Sequence, residues 1–164
     1  MRQLFLTLFF FFTLSLSAQD STVLKAFDFW VGEWDAHWQD ANGNEIIGHN
    51  TITKELGNTV VREMFSDPSS GFLGTSISVF STADSTWHQA WADNSGGYID
   101  LIGIVNTDNR IFQTKAVTSG DNVIIRRMIF YEIEANSFTW DWEISQDGGK
   151  TWALSWQIHY KRSK

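Results

Sequence analysis

The sequence predicts an all-β protein, an up-and-down antiparallel barrel of about ten strands. Three observations carry this. Apolar and polar residues alternate with period 2 along most of the chain, helical periodicity is nearly absent, and short turn sequences join the alternating runs. Proline occurs once, at Pro68. Its rarity suits long strands, because proline cannot donate to a ladder.

The chain opens differently. Arg2 supplies a positive start, residues 4–14 are apolar apart from Thr7 and Thr13, and small residues follow at Ser15, Ser17 and Ala18. This pattern is expected of a signal peptide over residues 1–18, since the run is shorter than the roughly 20 apolar residues that span a bilayer. The expected product is a secreted or periplasmic protein, residues 19–164, with no membrane insertion after cleavage. About 146 residues fit one domain with a real core. There is no cysteine, so stability must come from packing.

Without Arg2 the chain carries 11 Lys+Arg against 19 Asp+Glu, a net charge of −8. Such a chain repels nucleic acid and anionic membrane surfaces, and neither is an expected partner.

A short helix is expected over residues 21–27, capped by Asp20 or Ser21. Strands are then expected over 34–40, 45–56, 59–66, 71–81, 86–93, 98–106, 110–118, 122–134, 137–145 and 151–161. Asn42-Gly43, Gly57-Asn58, Asp108-Asn109, Gly120-Asp121-Asn122 and Asp147-Gly148-Gly149 supply turns between them. Short links make consecutive strands antiparallel neighbours. Ten strands in that order leave two bare edges, and closure removes them.

The nine tryptophans are the most informative residues. Trp34 and Trp38, Trp87 and Trp91, Trp140 and Trp142, and Trp152 and Trp156 are evenly spaced on four strands. Even spacing puts each pair on one face. The alternate faces of the last two strands are mostly polar, so the indoles are expected inside. If the first strand pairs with the tenth, Trp34, Trp38, Trp140, Trp142, Trp152 and Trp156 line one wall. These rings either fill a solid core or surround a cavity for a small molecule. Gln89 and Asp93 share the face of Trp87 and Trp91, and either satisfy buried indole donors or meet a ligand.

Arginines pose a second question. Arg126 and Arg127 are adjacent on a strand apolar on both faces, so one of them is expected to point inward. Arg62, beside Val60 and Met64, raises the same issue. An inward arginine needs a partner, either an internal acid such as Glu63 or Asp93, or a ligand carboxylate.

The segment Phe27-Asp28-Phe29-Trp30-Val31-Gly32-Glu33-Trp34 resembles the opening of a family of small bacterial proteins of unknown function with a lipocalin-like, or calycin-like, β-barrel. The resemblance covers residues 27–162. It implies that Trp30, Gly32 and Trp34 close one end of a barrel, with Arg162 or Lys161 covering the indole. Related haem-binding barrels use a histidine near the C-terminus. His159 lies there, but alternation puts it on the outer face, so no cofactor is expected.

Other motifs are read as structure. Residues 145–152 resemble the Asp-box of β-propellers, here a single hairpin turn. Asp40, Asn42 and Asn44 imitate a calcium loop but lack its glutamate, Thr51 standing at position twelve. The four histidines show no metal spacing.

Three functional readings follow. The first is an exported barrel that binds a small apolar or amphipathic molecule through Trp87, Gln89, Trp91, Asp93, Arg62, Arg127, Trp140, Trp142 and Trp156. The second is a packed barrel acting on a protein or glycan through its outer surface. The third is an enzyme built from His88, Asp93, Asp141 and Glu143, which requires two of them within hydrogen-bond reach in a cleft.

Overall fold

The structure is a computed structural model that describes residues 23–164. The expected signal peptide and the start of the expected helix lie outside these residues. In the described part the chain turns through Asp28–Trp30, a single 3-10 turn, and enters the first strand at Gly32.

Eleven strands follow: β1 Gly32–Gln39, β2 Glu45–Glu55, β3 Val60–Asp67, β4 Phe72–Ser81, β5 Thr86–Asp93, β6 Tyr98–Val105, β7 Arg110–Gln113, β8 Val117–Ser119, β9 Asn122–Tyr131, β10 Ser137–Ser145 and β11 Ala153–Arg162. Each pairs antiparallel with its neighbours in the order β1-β2-β3-β4-β5-β6-β7-β9-β10-β11, and β11 pairs back onto β1. Ten strands therefore close an up-and-down barrel. The closing seam sets Trp34 opposite Arg162 and Ala36 opposite Tyr160.

β7 and β8 together occupy the expected seventh strand, and both pair with β9. The interruption falls at residues 114–116. There the Thr114 hydroxyl accepts a hydrogen bond from Arg126 N at 3.0 Å, replacing a ladder partner.

The interior has two layers, and they differ. At one end Phe27, Trp30, Trp34, Trp87, Phe112, Phe130 and Phe138 are all buried. Phe27 stacks on Phe112 with ring centroids 4.4 Å apart, and Trp34 meets Phe138 edge-on at 4.8 Å. The N-terminal segment crosses this end as a plug. Val23 O accepts from Trp87 Nε1 at 2.8 Å, Ala26 O accepts from Arg110 Nε at 3.0 Å, and Asp28 pairs with Lys54 at 2.6 Å.

Gly32 and Arg162 lock the plug. The Arg162 guanidinium lies over the Trp34 ring, 4.1 Å from its centroid. It donates to Val31 O at 2.8 Å and to Ala135 O at 3.2 Å. Gly32 has φ +137°, and a Cβ there would fall on the guanidinium. Only glycine combines that backbone with that close approach.

One inner face departs from the spacing argument. The ladder slips between Trp142 and Glu143, so that Trp156 stands opposite Trp142 while Leu154, not Ser155, stands opposite Glu143. The extra residue is a bulge, and it inverts the alternation of β11 beyond it. Trp156 points inward, but Trp152 lies outside, its ring 3.8 Å from the Arg127 guanidinium. The expected wall of six indoles thus holds five.

Candidate functional site

The second layer of the interior lies on the far side of the barrel from the plug. It is built from the mouth-side ends of the strands: Trp38 of β1, Phe65 of β3, Phe72 of β4, Trp91 of β5, Ile99 of β6, Trp140 and Trp142 of β10, and Trp156 of β11. These residues are mostly half-buried, where their counterparts against the plug are fully buried. Trp156 meets Trp38 at 5.3 Å and Trp140 at 5.6 Å, both edge-to-face, and Phe72 stacks on Trp91 at 6.4 Å. Such angled packing suits aromatic quadrupoles but leaves space between the rings.

That space is a partly open cavity of about 150 Å³. Phe65, Phe72, Trp91, Ile99, Met128, Trp140, Trp142, Trp156 and Ile158 form its walls, with Glu63 and Tyr160 among the lining residues. A dry cavity of roughly this volume holds a benzene-sized molecule. Gly74 helps to make the site. A Cβ at position 74 would fall on the Trp91 indole, so the ring lies flat across β4 only because that position is bare.

Glu63 is the unexpected member. It is 6% exposed. Its Oε1 accepts from Asn50 Nδ2 at 2.8 Å and its Oε2 from Ser76 Oγ at 2.7 Å. Ser76 Oγ in turn accepts from Gln89 Nε2 at 3.2 Å, and the same amide donates to Ser78 Oγ at 3.0 Å. Asn50 Nδ2 also reaches the Tyr160 hydroxyl at 3.4 Å. Burial pushes the Glu63 carboxyl from 4.5 up to about 7, against the pull of the Ser76 and Asn50 hydrogen bonds. The Tyr160 hydroxyl is held far above its ordinary value by burial and by the charge of Glu63.

Trp91, Trp140, Trp142 and Trp156 line the cavity. Gln89 lies in the polar network beside it, and Trp87 packs into the plug against Phe27. Asp93 sits at the end of β5 and accepts from Trp91 Nε1 at 3.0 Å, which ties down one of the two indole donors it was expected to satisfy. It also accepts from Gly97 N at 2.9 Å, and that backbone bond, ahead of the indole, lowers its carboxyl.

Both candidate arginines are outside the cavity. Arg62 is exposed and 3.5 Å from Glu55. On β3 it is Val61, Glu63 and Phe65 that turn inward, so the buried charge of this strand is an acid and not a base. Arg127 stands on the outer face and pairs with Glu143 at 2.6 Å. Arg126 shares the inner face of Met128 and Phe130, but it lies one residue past the last β7 pair, Gln113 opposite Arg127, and is exposed. The expected inward arginine with an internal acid is not formed.

The raw material for an enzyme is not assembled. His88 bonds to Asp84 at 2.8 Å, Asp141 accepts from Tyr131 at 3.1 Å and from Gln157 at 3.0 Å, and Glu143 holds Arg127. No two of His88, Asp93, Asp141 and Glu143 bond to each other among the described residues. Asp141 and Thr139 are nonetheless buried on the outer wall, Asp141 bonded to Tyr131 and Gln157 and Thr139 to Glu132. His159 stands on that wall, 3.3 Å from Thr139 Oγ1.

Sequence reasoning placed Glu63 only as a partner for an arginine, and it passed over Asn50, Ser76 and Tyr160. The signal for Ser76 and Ser78 was available, since two small hydroxyls with Gly74 between larger residues leave room for bulk from β5.

The described residues define a class: a closed ten-stranded antiparallel β-barrel, plugged at one end and carrying an aromatic cavity toward the other. No protein-family model matches the chain, and no curated protein matches it.

Proposed function

We propose that this is an exported, lipocalin-like barrel that binds a small apolar or amphipathic molecule in its aromatic cavity. The observation that carries this reading is the contrast between the two ends of the interior. Phenylalanine and tryptophan pack solidly against the plug, whereas the same residue types at the other end surround about 150 Å³ of space. A packed core has no use for such a gap, because each unfilled methyl-sized void costs stability. Concave, mostly apolar sites with few polar groups are where small molecules bind. The signal-like leader supports export, and the Phe27–Trp34 opening with Arg162 over Trp34 supports the lipocalin-like assignment.

The test is a titration of the folded protein with toluene, hexanol, short fatty acids and haem. Tryptophan emission and the methyl NMR signals of Met128 and Ile158 are the readouts. The smallest apolar probes are expected to quench emission and shift both methyls. A panel in which no compound moves either methyl overturns the reading.

A second reading, an interaction module, draws on the outer face of β3–β6. Met64, Leu73, Ile77 and Tyr98 are exposed there. Patches of this kind mark contact surfaces. If Ile77→Lys changes the sedimentation of the protein while cavity binding persists, this second surface is in use.

A further inference from the structure

Resting on the cavity reading above, we propose that the ligand is a small apolar amine whose ammonium group sits at Glu63 while its hydrocarbon part lies among Trp91, Trp140 and Trp156. Three features carry this choice over a neutral or acidic ligand.

The first is the identity of the charged group. Glu63 is the one charged side chain in the cavity lining, and no Lys, Arg or His accompanies it among the described residues. An anion brought to this end of the cavity would meet a carboxylate without a compensating base. An ammonium ion would supply the counter-charge that a buried carboxylate lacks.

The second is the balance of hydrogen bonds. Both Glu63 oxygens already accept, from Asn50 and from Ser76. Two further buried acceptors of the network, Asn50 Oδ1 and Gln89 Oε1, have no partner among the described residues. Of this network only Glu63 and Tyr160 line the cavity, and each Glu63 oxygen keeps a lone pair for a further donor, which a ligand can supply. An ammonium ion brings up to three N–H donors and no acceptor, as a lysine head group does. A ketone, ether or carboxylate offers the Glu63 carboxylate no donor.

The third is the wall. Indole faces attract cations, most strongly where water is excluded, and tryptophan is the best of the aromatic residues for this. Trp91, Trp140, Trp142 and Trp156 all line the space beside Glu63. Aromatic rings with one carboxylate form a cage for an amine. The chain's net charge of −7 adds a long-range pull on cations.

The experiment compares three probes of one shape at pH 8: phenethylamine, propylbenzene and 3-phenylpropanoate. Binding is read by calorimetry and by the methyl shifts of Met128 and Ile158. The amine is expected to bind about tenfold or more tighter than propylbenzene, and the acid more weakly than either. In Glu63→Gln the preference for the amine is expected to vanish while propylbenzene still binds. The ranking in the unaltered protein decides the matter even if the variant folds poorly. Equal binding of amine and propylbenzene, or tighter binding of the acid, overturns the amine assignment and leaves the cavity reading standing. Failure of all three probes to bind overturns both.

Discussion

The Asn50 amide donates to Glu63 Oε1 at 2.8 Å, and both side chains are buried between the plug and the aromatic layer. They come from adjacent strands, β2 and β3, and Ser76 of β4 completes the grip from the other side. A carboxyl held this way is oriented by its donors but deprived of bulk water. Desolvation is the larger effect, because the carboxyl is raised to about 7 despite two hydrogen bonds that favour its charged form.

That shift makes stability depend on pH. The folded carboxyl binds its proton more tightly than the unfolded one, so its contribution is fully present below the unfolded value of 4.5 and is lost as pH rises through about 7. The loss over that window is about 3 kcal/mol, the equivalent of the change in proton affinity for a fully buried group. Urea unfolding of the wild type from pH 4 to 8 is expected to show it. Glu63→Gln keeps the shape without the titration, so the fall in stability as pH rises through about 7 should be missing from its profile. A wild-type profile that falls no more than the variant's over that rise contradicts the burial of Glu63.

Gly74→Ala tests the placement of Trp91. The added methyl overlaps the indole, so the ring must leave β4. The expected cost is about 1–3 kcal/mol, typical of overpacking. A red shift of tryptophan emission should accompany it as the ring moves toward water. A variant as stable as the parent with unchanged emission would mean that Trp91 does not lie across β4.

Arg162→Ala tests the closure of the plugged end. It removes the guanidinium from the Trp34 face and the donors from Val31 O and Ala135 O. A loss of about 2–3 kcal/mol in chemical unfolding is expected from the stacking and the orphaned carbonyls together. Arg162→Lys should recover little of it, since an ammonium group cannot both stack and fork to two carbonyls. Full recovery by lysine would show that charge alone matters there.

Much of the barrel is legible in the sequence, because strand alternation and turn chemistry are local. Nearly every strand lies where alternation puts it. Faces are harder. On β4 the apolar residues Leu73, Ile77 and Val79 are outside, while Gly74, Ser76 and Ser78 are inside. Alternation alone would turn that strand over. Bulk arriving from β5, namely Trp91 and Gln89, decides the matter, and this is a contact between strands that spacing along one strand does not contain. Trp152 was misplaced for a similar reason. The bulge at Trp142/Glu143 leaves no mark in composition, yet it inverts every residue beyond it. Glu63 was obscured because both faces of β3 carry valine at one end and a large apolar residue near the other, so the strand offered two equivalent orientations.

The turn after β10 makes its own prediction. Asp147 accepts from Thr151 Oγ1 at 2.6 Å, Thr151 N at 2.9 Å and Lys150 N at 3.0 Å. The Thr151 hydroxyl first, with the backbone N–H groups, holds its carboxyl well below the usual range. Its stabilisation is therefore present above the unfolded value of 3.8 and fades as pH falls through the lower folded value. Asp147→Ala should lower Tm at pH 7, with the gap narrowing in strong acid. A gap of equal size under both conditions would mean that the carboxylate is not what holds the turn.

The most direct measurement is a crystal structure of the protein under xenon pressure. Xenon enters apolar cavities of this size without needing a chosen ligand. Xenon density is expected between Trp91, Trp140, Trp156 and Ile158, with the Glu63 carboxyl bonded to Asn50 and Ser76 beside it. Side chains filling that volume, with no xenon there, would contradict the cavity.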